Sequence, residues 1–281
     1  MLEDGTFIKK DEYNTRKSSL EHFLEDIICI INSYQEFDDI SGVAISMPGF
    51  VDISTGYTDA AGAISILNGK NLKVLLEEQV PFTVEIENDG NCVALAEKFN
   101  GNAINCRDFI CITLGTGVGG GIFLNNEIYH GHKFRAGEIG YMLTPAFKAG
   151  SETWSDNGST SNLVKSYKKY KDLAEKGPIE GHMIFEKVKY DKEIYSLVEK
   201  WAERISFGIF NLSAILNPEK ILLGGGVSAR EELVQMIVSH LNQLEWWKFT
   251  NVPIETCKHK NDAGMLGALV HYLSKREVKK E

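Results

Sequence analysis

Residues 107–125 read Arg-Asp-Phe-Ile-Cys-Ile-Thr-Leu-Gly-Thr-Gly-Val-Gly-Gly-Gly-Ile-Phe-Leu-Asn. An apolar run of strand length, 107–114, is followed by a cluster of glycines and then by a second strand pattern over 119–125. Gly115, Gly117 and Gly120 satisfy the GxGxxG spacing of dinucleotide-binding loops, but that fingerprint requires a helix after the glycines. Here Ile122-Phe123-Leu124 continues as strand, so the stretch is strand-turn-strand, and Glu138, about 20 residues on, is a decoy for the ribose-binding acid. Glycines leave backbone N–H groups uncovered, so the hairpin can line a phosphate, with the Thr116 hydroxyl as a further donor. A plain glycine hairpin is the other reading of the same residues.

Outward from this stretch, strands alternate with helices. Upstream, Gly42–Met47 forms a short buried strand stopped by Pro48-Gly49, and 82–87 forms another, followed by a helix over 90–99. Ser18 with Glu21 makes a capping box for a helix reaching Tyr34, whose apolar residues fall on one face. Residues 54–69 read as a long loop and 71–79 as a helix. Residues 6–14 read as a strand, preceded by the hairpin dipeptide Asp4-Gly5 with only three residues before it. Downstream, 130–160 is glycine-rich and irregular. Helices follow at 160–173, 180–188 and 192–216, then the strand Ile221-Leu222-Leu223, helix 229–243, strand 252–256 and helix 262–275. The tail from Lys275 to Glu281 reads as a frayed, solvated end. The class is α/β.

Composition narrows the function. The 281 residues are long enough to bury roughly three quarters of their unfolded surface. The net charge of −9 offers no electrostatic footprint for nucleic acid or an anionic membrane. No apolar run reaches the roughly 18 residues of a membrane span, and no charged segment leads into an apolar one as in a signal peptide. Five scattered cysteines without CxxC spacing read as reduced thiols, so the expected location is the cytoplasm.

Three further motifs carry chemistry. Leu223-Gly224-Gly225-Gly226-Val227-Ser228 lies between a strand and a helix, where a ligand can rest on bare backbone; a tight strand-to-helix turn is the alternative. Glu87-Asn88-Asp89-Gly90-Asn91 ends a strand and starts a helix. Asn-Asp-Gly is ordinary turn and cap chemistry, but Asp89 at a strand's carboxyl end can also accept a proton from an attacking hydroxyl, with Asn88 bonding neighbouring hydroxyls. Phe134-Arg135-Ala136-Gly137-Glu138-Ile139-Gly140-Tyr141 sets a carboxylate and an aromatic ring in a glycine-flanked loop, which suits a polyol or a plain surface loop. His130 and His132 lack a Cys or acidic partner at ligand spacing and are not assigned a metal. Trp246-Trp247, Met142 and Met47 read as packing.

The order of these motifs resembles the ROK family of sugar kinases and regulators. Ser46-Met47-Pro48-Gly49-Phe50-Val51-Asp52 is like the family's PGxVD segment, Asn217-Pro218 through Gly226 like its NPxxIxxGGG, and Asn261 through Ala268 like its final AGxxGA helix. The likeness covers about residues 3–275. It implies an actin-like/hexokinase two-lobed fold with ribonuclease H-like lobes, a smaller lobe of 1–107 plus 265–281 and a larger one of 108–264. Asp89 would be the general base on the sugar hydroxyl, conventionally the 6-OH. Asn88, Glu138, Tyr141 and Gly62 would hold the sugar. Gly115, Thr116, Gly117, Gly224, Gly225 and Gly226 would cradle ATP, with Mg²⁺ neutralising the phosphates. The family is usually dimeric, so a homodimer is expected.

Three departures shape the expectation. The family's structural zinc motif, GHxxxxxxxxCxCGxxGCxE, has no counterpart: Tyr141 replaces its His, Ser161 stands near its Glu, and no Cys lies between 112 and 256. No structural zinc is expected, and glucose specificity does not carry over. FRAGE-I-GYML without zinc looks most like the β-glucoside kinase branch, whose enzymes phosphorylate cellobiose-type disaccharides. N-acetylmannosamine kinase and glucokinase are the neighbouring readings. Third, the family's opening DxGGT strand is absent, as if roughly 15 to 20 family residues were missing and Asp4-Gly5 were the hairpin after that strand. A repressor of the same family would carry an N-terminal winged helix-turn-helix, which this sequence lacks. A non-catalytic sugar-binding protein is the reading from another class.

Overall fold

Apolar side chains at helical spacing build the first helix, α1 (Leu20–Gln35), which buries Phe23, Leu24 and Ile31. The computed structural model of the chain describes residues 1–36, 39–145, 153–172, 179–227 and 230–278. After α1 come β1 (Val43–Met47), β2 (Phe50–Val51), β3 (Tyr57–Ala60), β4 (Lys70–Asn71), α2 (Leu72–Glu77), β5 (Val84–Asn88) and α3 (Asp89–Asn100). The strand-glycine-strand stretch forms β6 (Phe109–Leu114) and β7 (Val118–Leu124), with a short β8 (Glu127–Ile128). Helices α4 (Trp154–Gly158), α5 (Thr160–Tyr170), α6 (Gly181–Val188) and α7 (Lys192–Leu216) follow. The chain then runs through β9 (Lys220–Gly224), α8 (Glu231–Leu241), α9 (Trp247–Thr250), β10 (Ile254–Thr256) and α10 (Ala263–Val278).

The chain divides into two units. The first contains residues 1–99, 130–135 and 262–281; the second contains 100–129 and 136–261. In the first, β1 and β5 pair in parallel, with Met47 opposite Asn88 at their carboxyl ends. Helix α10 packs on both strands. A separate antiparallel sheet, β2-β3-β4, stands beside them. Its core holds Phe23, Leu24, Met47, Val51, Leu67, Leu72, Leu76, Val84 and Ile86. In the second unit, five strands run in the order β10-β9-β6-β7-β8, with β9 parallel to β6 and β10, and β7 antiparallel to β6. The larger core here is built from Ile110, Ile112, Leu114, Trp154, Trp201, Ile209, Leu223 and Leu233. Among the described residues no helix is long and apolar enough to cross a membrane.

Several local expectations are corrected. Residues 6–14 are not a strand: Asp4-Gly5 makes the turn, with the Leu2 N–H donating to Thr6 O at 2.9 Å, but no ladder follows. A strand needs a partner for its backbone groups, and here the segment is tied by side chains instead, as in the Lys10–Asp262 ion pair. Helix α1 is capped by Ser19, whose hydroxyl accepts from His22 N at 3.2 Å, so the Ser18–Glu21 box is not formed. The supposed loop 54–69 contains β3, because Tyr57 and Thr58 pair with Asn71 and Lys70 across a span that no local periodicity announces. The expected helix 160–173 ends at Tyr170, and its last expected residue lies outside the described residues, as does the first residue of the expected helix 229–243. Of the tryptophan pair, Trp247 is buried as packing requires but Trp246 is 64% exposed, since successive residues at a short helix's start point in different directions. Met47 is buried in the first core, and Met142 packs partly buried on the second.

Candidate active site

In the first unit the site begins where β5 stops. Asn88 Oδ1 accepts from the backbone N–H groups of Gly90 at 2.8 Å and Asn91 at 3.1 Å, which caps α3. One N–H of its Nδ2 donates to Gly49 O at 3.0 Å. The parallel register of β1 and β5 is what sets Pro48-Gly49 beside Asn88. Gly62 joins them: a Cβ built on it would lie 3.4 Å from Pro48 Cβ. The cap reading of Asn88 is therefore realised, and its second Nδ2 hydrogen remains for another acceptor.

Asp89 follows as the first residue of α3, with its side chain exposed. Enough protein nevertheless surrounds the carboxyl that desolvation raises its pKa, partly opposed by the Gly90 N–H at 2.8 Å. A raised pKa makes the ionised form a stronger base than an ordinary carboxylate. Just before it, Glu87 is 1% exposed and was not singled out in the sequence. Burial acts to raise its pKa. The hydrogen bond from His130 and the charges of His130 and His271, with a smaller contribution from the Asn91 amide, outweigh burial and hold it below the usual carboxylate range.

In the second unit the two glycine motifs lie side by side, because β6 and β9 are parallel neighbours with Thr113 opposite Gly224. Gly115 donates its N–H to Gly117 O at 2.9 Å and closes the turn. Gly115, Thr116, Gly117, Gly225 and Gly226 are exposed, and Cβ atoms built on Gly115 or Gly226 would meet nothing within 4 Å. Gly225 has φ +104°, and a Cβ there would drive into the Leu114 carbonyl oxygen, so only glycine fits. Gly224 is buried against Cys257. Ser228 of the same motif lies outside the described residues.

The Glu138–Tyr141 loop docks on the start of β7. A Cβ on Gly140 would clash with Val118 O, which fixes how closely the loop approaches. Glu138 is partly exposed, and Tyr141 is 64% exposed. Residues 153–161 are held by hydroxyls and a buried ring. Ser155 Oγ accepts from Val118 N at 3.0 Å, Ser159 caps α5, and Trp154 is fully buried. The structure thus brings Gly62, Asn88 and Asp89 together in one unit. It brings the two glycine turns and the Glu138–Tyr141 loop together in the other.

The ROK family profile matches residues 1–275. A beta-glucoside kinase of Listeria monocytogenes serovar 1/2a is 38% identical over 245 residues, which cover 85% of this chain and 81% of the relative. The solved structure of a ROK family protein from Streptococcus pneumoniae TIGR4 in complex with sucrose superposes with a TM-score of 0.86 at 26% identity, covering 99% of this chain and 94% of that one. A ROK family glucokinase from Streptomyces griseus, solved with glucose and AMPPNP, gives a TM-score of 0.83 at 25% identity over 97% of this chain and 93% of its own. This chain belongs to the ROK family and has the actin-like/hexokinase fold. The sugar kinases of that family are phosphotransferases that use ATP.

Proposed function

We propose that this chain phosphorylates the 6-OH of a β-glucoside such as cellobiose, with ATP as donor and Asp89 as general base. The reaction is ATP-dependent phosphorylation of a sugar. The observation that carries the assignment of the base is the exposed Asp89 carboxyl, fixed at the carboxyl end of β5 with its pKa raised by desolvation. Asp89 accepts the hydroxyl proton as the sugar oxygen bonds to the γ-phosphorus and the bond from that phosphorus to the bridging oxygen of ADP breaks. Asn88, Glu138, Tyr141 and Gly62 hold the sugar, the aromatic ring offering an exposed face for a glycosyl ring. The bare backbone at Gly115–Gly117 and Gly224–Gly226 cradles the phosphates.

Among the described residues no group of three or more His, Cys, Asp or Glu side chains is placed to hold a metal. Mg²⁺ needs no such cage, since it keeps water and is bound mainly through substrate phosphates with one or two carboxylates. Mg²⁺ would therefore enter on the ATP phosphates, which the bare backbone at Gly115–Gly117 and Gly224–Gly226 would hold. When bound, it neutralises charge on the transferring phosphoryl group.

The β-glucoside is supported by the 38% identical beta-glucoside kinase, and a disaccharide-sized ligand by the sucrose bound to a structurally similar ROK protein. ATP-dependent ADP release with cellobiose, glucose and N-acetylmannosamine in parallel tests it. Fastest turnover of cellobiose is expected; preference for either monosaccharide reassigns the substrate, and sugar binding without turnover makes the chain a binding protein. The same reading expects a cytoplasmic homodimer, which sedimentation of the purified chain checks for mass.

A further inference from the structure

One carboxylate gathers four parts of the first unit. Glu87 Oε1 accepts from the Asn88 backbone N–H at 2.8 Å and from Asn91 Nδ2 at 3.0 Å. Glu87 Oε2 lies 2.7 Å from His130 Nε2 and 3.4 Å from His271 Nδ1. The groups come from β5, α3, the segment 130–135 and α10. His271 is almost fully buried, burial holds its pKa low, and its Nε2 has no partner among the described residues. Cys92 is buried beside the same carboxylate, whose charge helps raise its thiol pKa after burial itself. Lys73 pairs with Glu85 two residues back on β5, at 3.0 Å.

The segment that supplies His130 is unusual. Tyr129 and Ala136 belong to the second unit, yet 130–135 belongs to the first. A hydrogen bond between His130 and Glu87 and an ion pair between Arg135 and Asp59 hold this excursion at its two ends, and the Arg135 guanidinium also lies over the Phe50 ring. Three residues past Arg135 the chain reaches Glu138.

We infer that Glu87 and His130 form a positioning pair for phosphoryl transfer. Glu87 fixes the backbone on which Asn88 and Asp89 stand, and His130 fixes that carboxylate. The inference rests on Asp89 as base and adds two residues that act through their neighbours. A side chain one residue from a base controls its direction through the backbone, and a misplacement near 1 Å can cost about 100-fold in rate. Both Glu87 oxygens are needed, because one holds the turn and the other the excursion.

The test compares His130→Ala, His130→Gln, Glu87→Gln and Asp89→Asn with the parent, well below their melting temperatures. Expected for His130→Ala is a kcat loss of roughly 10- to 100-fold with the KM for ATP within about twofold. Glutamine, which can donate from a similar position, should restore most of that kcat. A His130→Ala enzyme with near-parental kcat, or a loss that glutamine does not recover, overturns the pair. Full activity in Asp89→Asn sinks the base assignment separately. If Glu87→Gln fails to fold, the less buried His130 carries the test. Hydrogen exchange at the Asn88 amide needs no turnover and should quicken about tenfold or more in His130→Ala; an unchanged rate overturns the proposal even where no sugar tried is a substrate.

Discussion

Glu87-Asn88-Asp89 in the first unit and the glycine turns at 115–117 and 224–226 in the second all sit at strand ends, yet they are built in opposite ways. The first is made of side chains. Glu87, Asn88 and Asp89 share a dense set of hydrogen bonds with Gly49, Gly90, Asn91 and His130, and the geometry depends on them. The second is made of backbone, and its geometry depends on steric fit, as between Gly225 and the Leu114 carbonyl. A base must be a side chain held in one direction, whereas a polyphosphate is met by any concave run of N–H groups. The contrast predicts that polar substitutions damage the first region and added volume damages the second.

The largest effect should come from Asp89→Asn. With Asp89 as the proposed general base, its loss costs roughly 10²–10⁴-fold in kcat, while calorimetry should find the sugar dissociation constant within about threefold of the parent. An active Asp89→Asn enzyme breaks the side-chain half of the comparison.

Gly225→Ala tests the backbone half. A left-handed φ alone costs about 1–2 kcal/mol for a residue with a Cβ, and the clash with Leu114 O adds to it. A lower melting temperature and a raised KM for ATP are expected, with sugar affinity unchanged. Equal loss of sugar and ATP affinity contradicts the division of labour.

Acid should separate the units. The pKa of His271 is lowered in the folded chain, so the unfolded chain binds the extra proton first, and stability falls as pH drops below about 6.5. Glu87 is also lowered, so its contribution, present above about 4.5, is lost as pH falls through its folded value. Asp89 is raised and acts in the opposite sense, but its exposure makes that contribution small. Between pH 7 and 5, protection against hydrogen exchange, taken relative to the intrinsic rate at each pH, should fall in β5 and α10 before β6 and β9; the reverse order counts against the buried cluster.

Smaller effects sharpen the picture. Ser155→Ala removes the hydroxyl that accepts from Val118 N, so a loss of about 1 kcal/mol and a modestly raised KM for ATP are expected. Tyr141→Ala should leave the melting temperature within about 2 °C because the ring is exposed, and should raise only the sugar KM. A Tyr141→Ala enzyme with parental sugar KM removes this ring from the site.

Much of this was legible in the chain. The β6-turn-β7 hairpin followed from glycines between two apolar runs, and α7 from its apolar stripe, because both signals are local. Short sheets were not: β3 and β4 carry little pattern and exist only as each other's partners. Ser18 and Ser19 are chemically equal as caps, and only the helix's final phase chose between them. His130 and His132 show no Cys or acidic partner at metal-ligand spacing, and the carboxylate that His130 does meet, Glu87, stands 43 residues away in sequence.

The sequence by itself determined the α/β class and the order of the chemical motifs, since each is written in contiguous residues whose spacing forces a local conformation, and that order resembles the family's. Only the tertiary structure decided which motifs meet: Asn88 with Gly49 through the register of β1 and β5, Gly225 with Leu114 through β6 and β9, and Glu87 with both histidines. Strand register and helix docking are set by the burial of whole faces, and a buried carboxylate finds its partners only after those faces have closed.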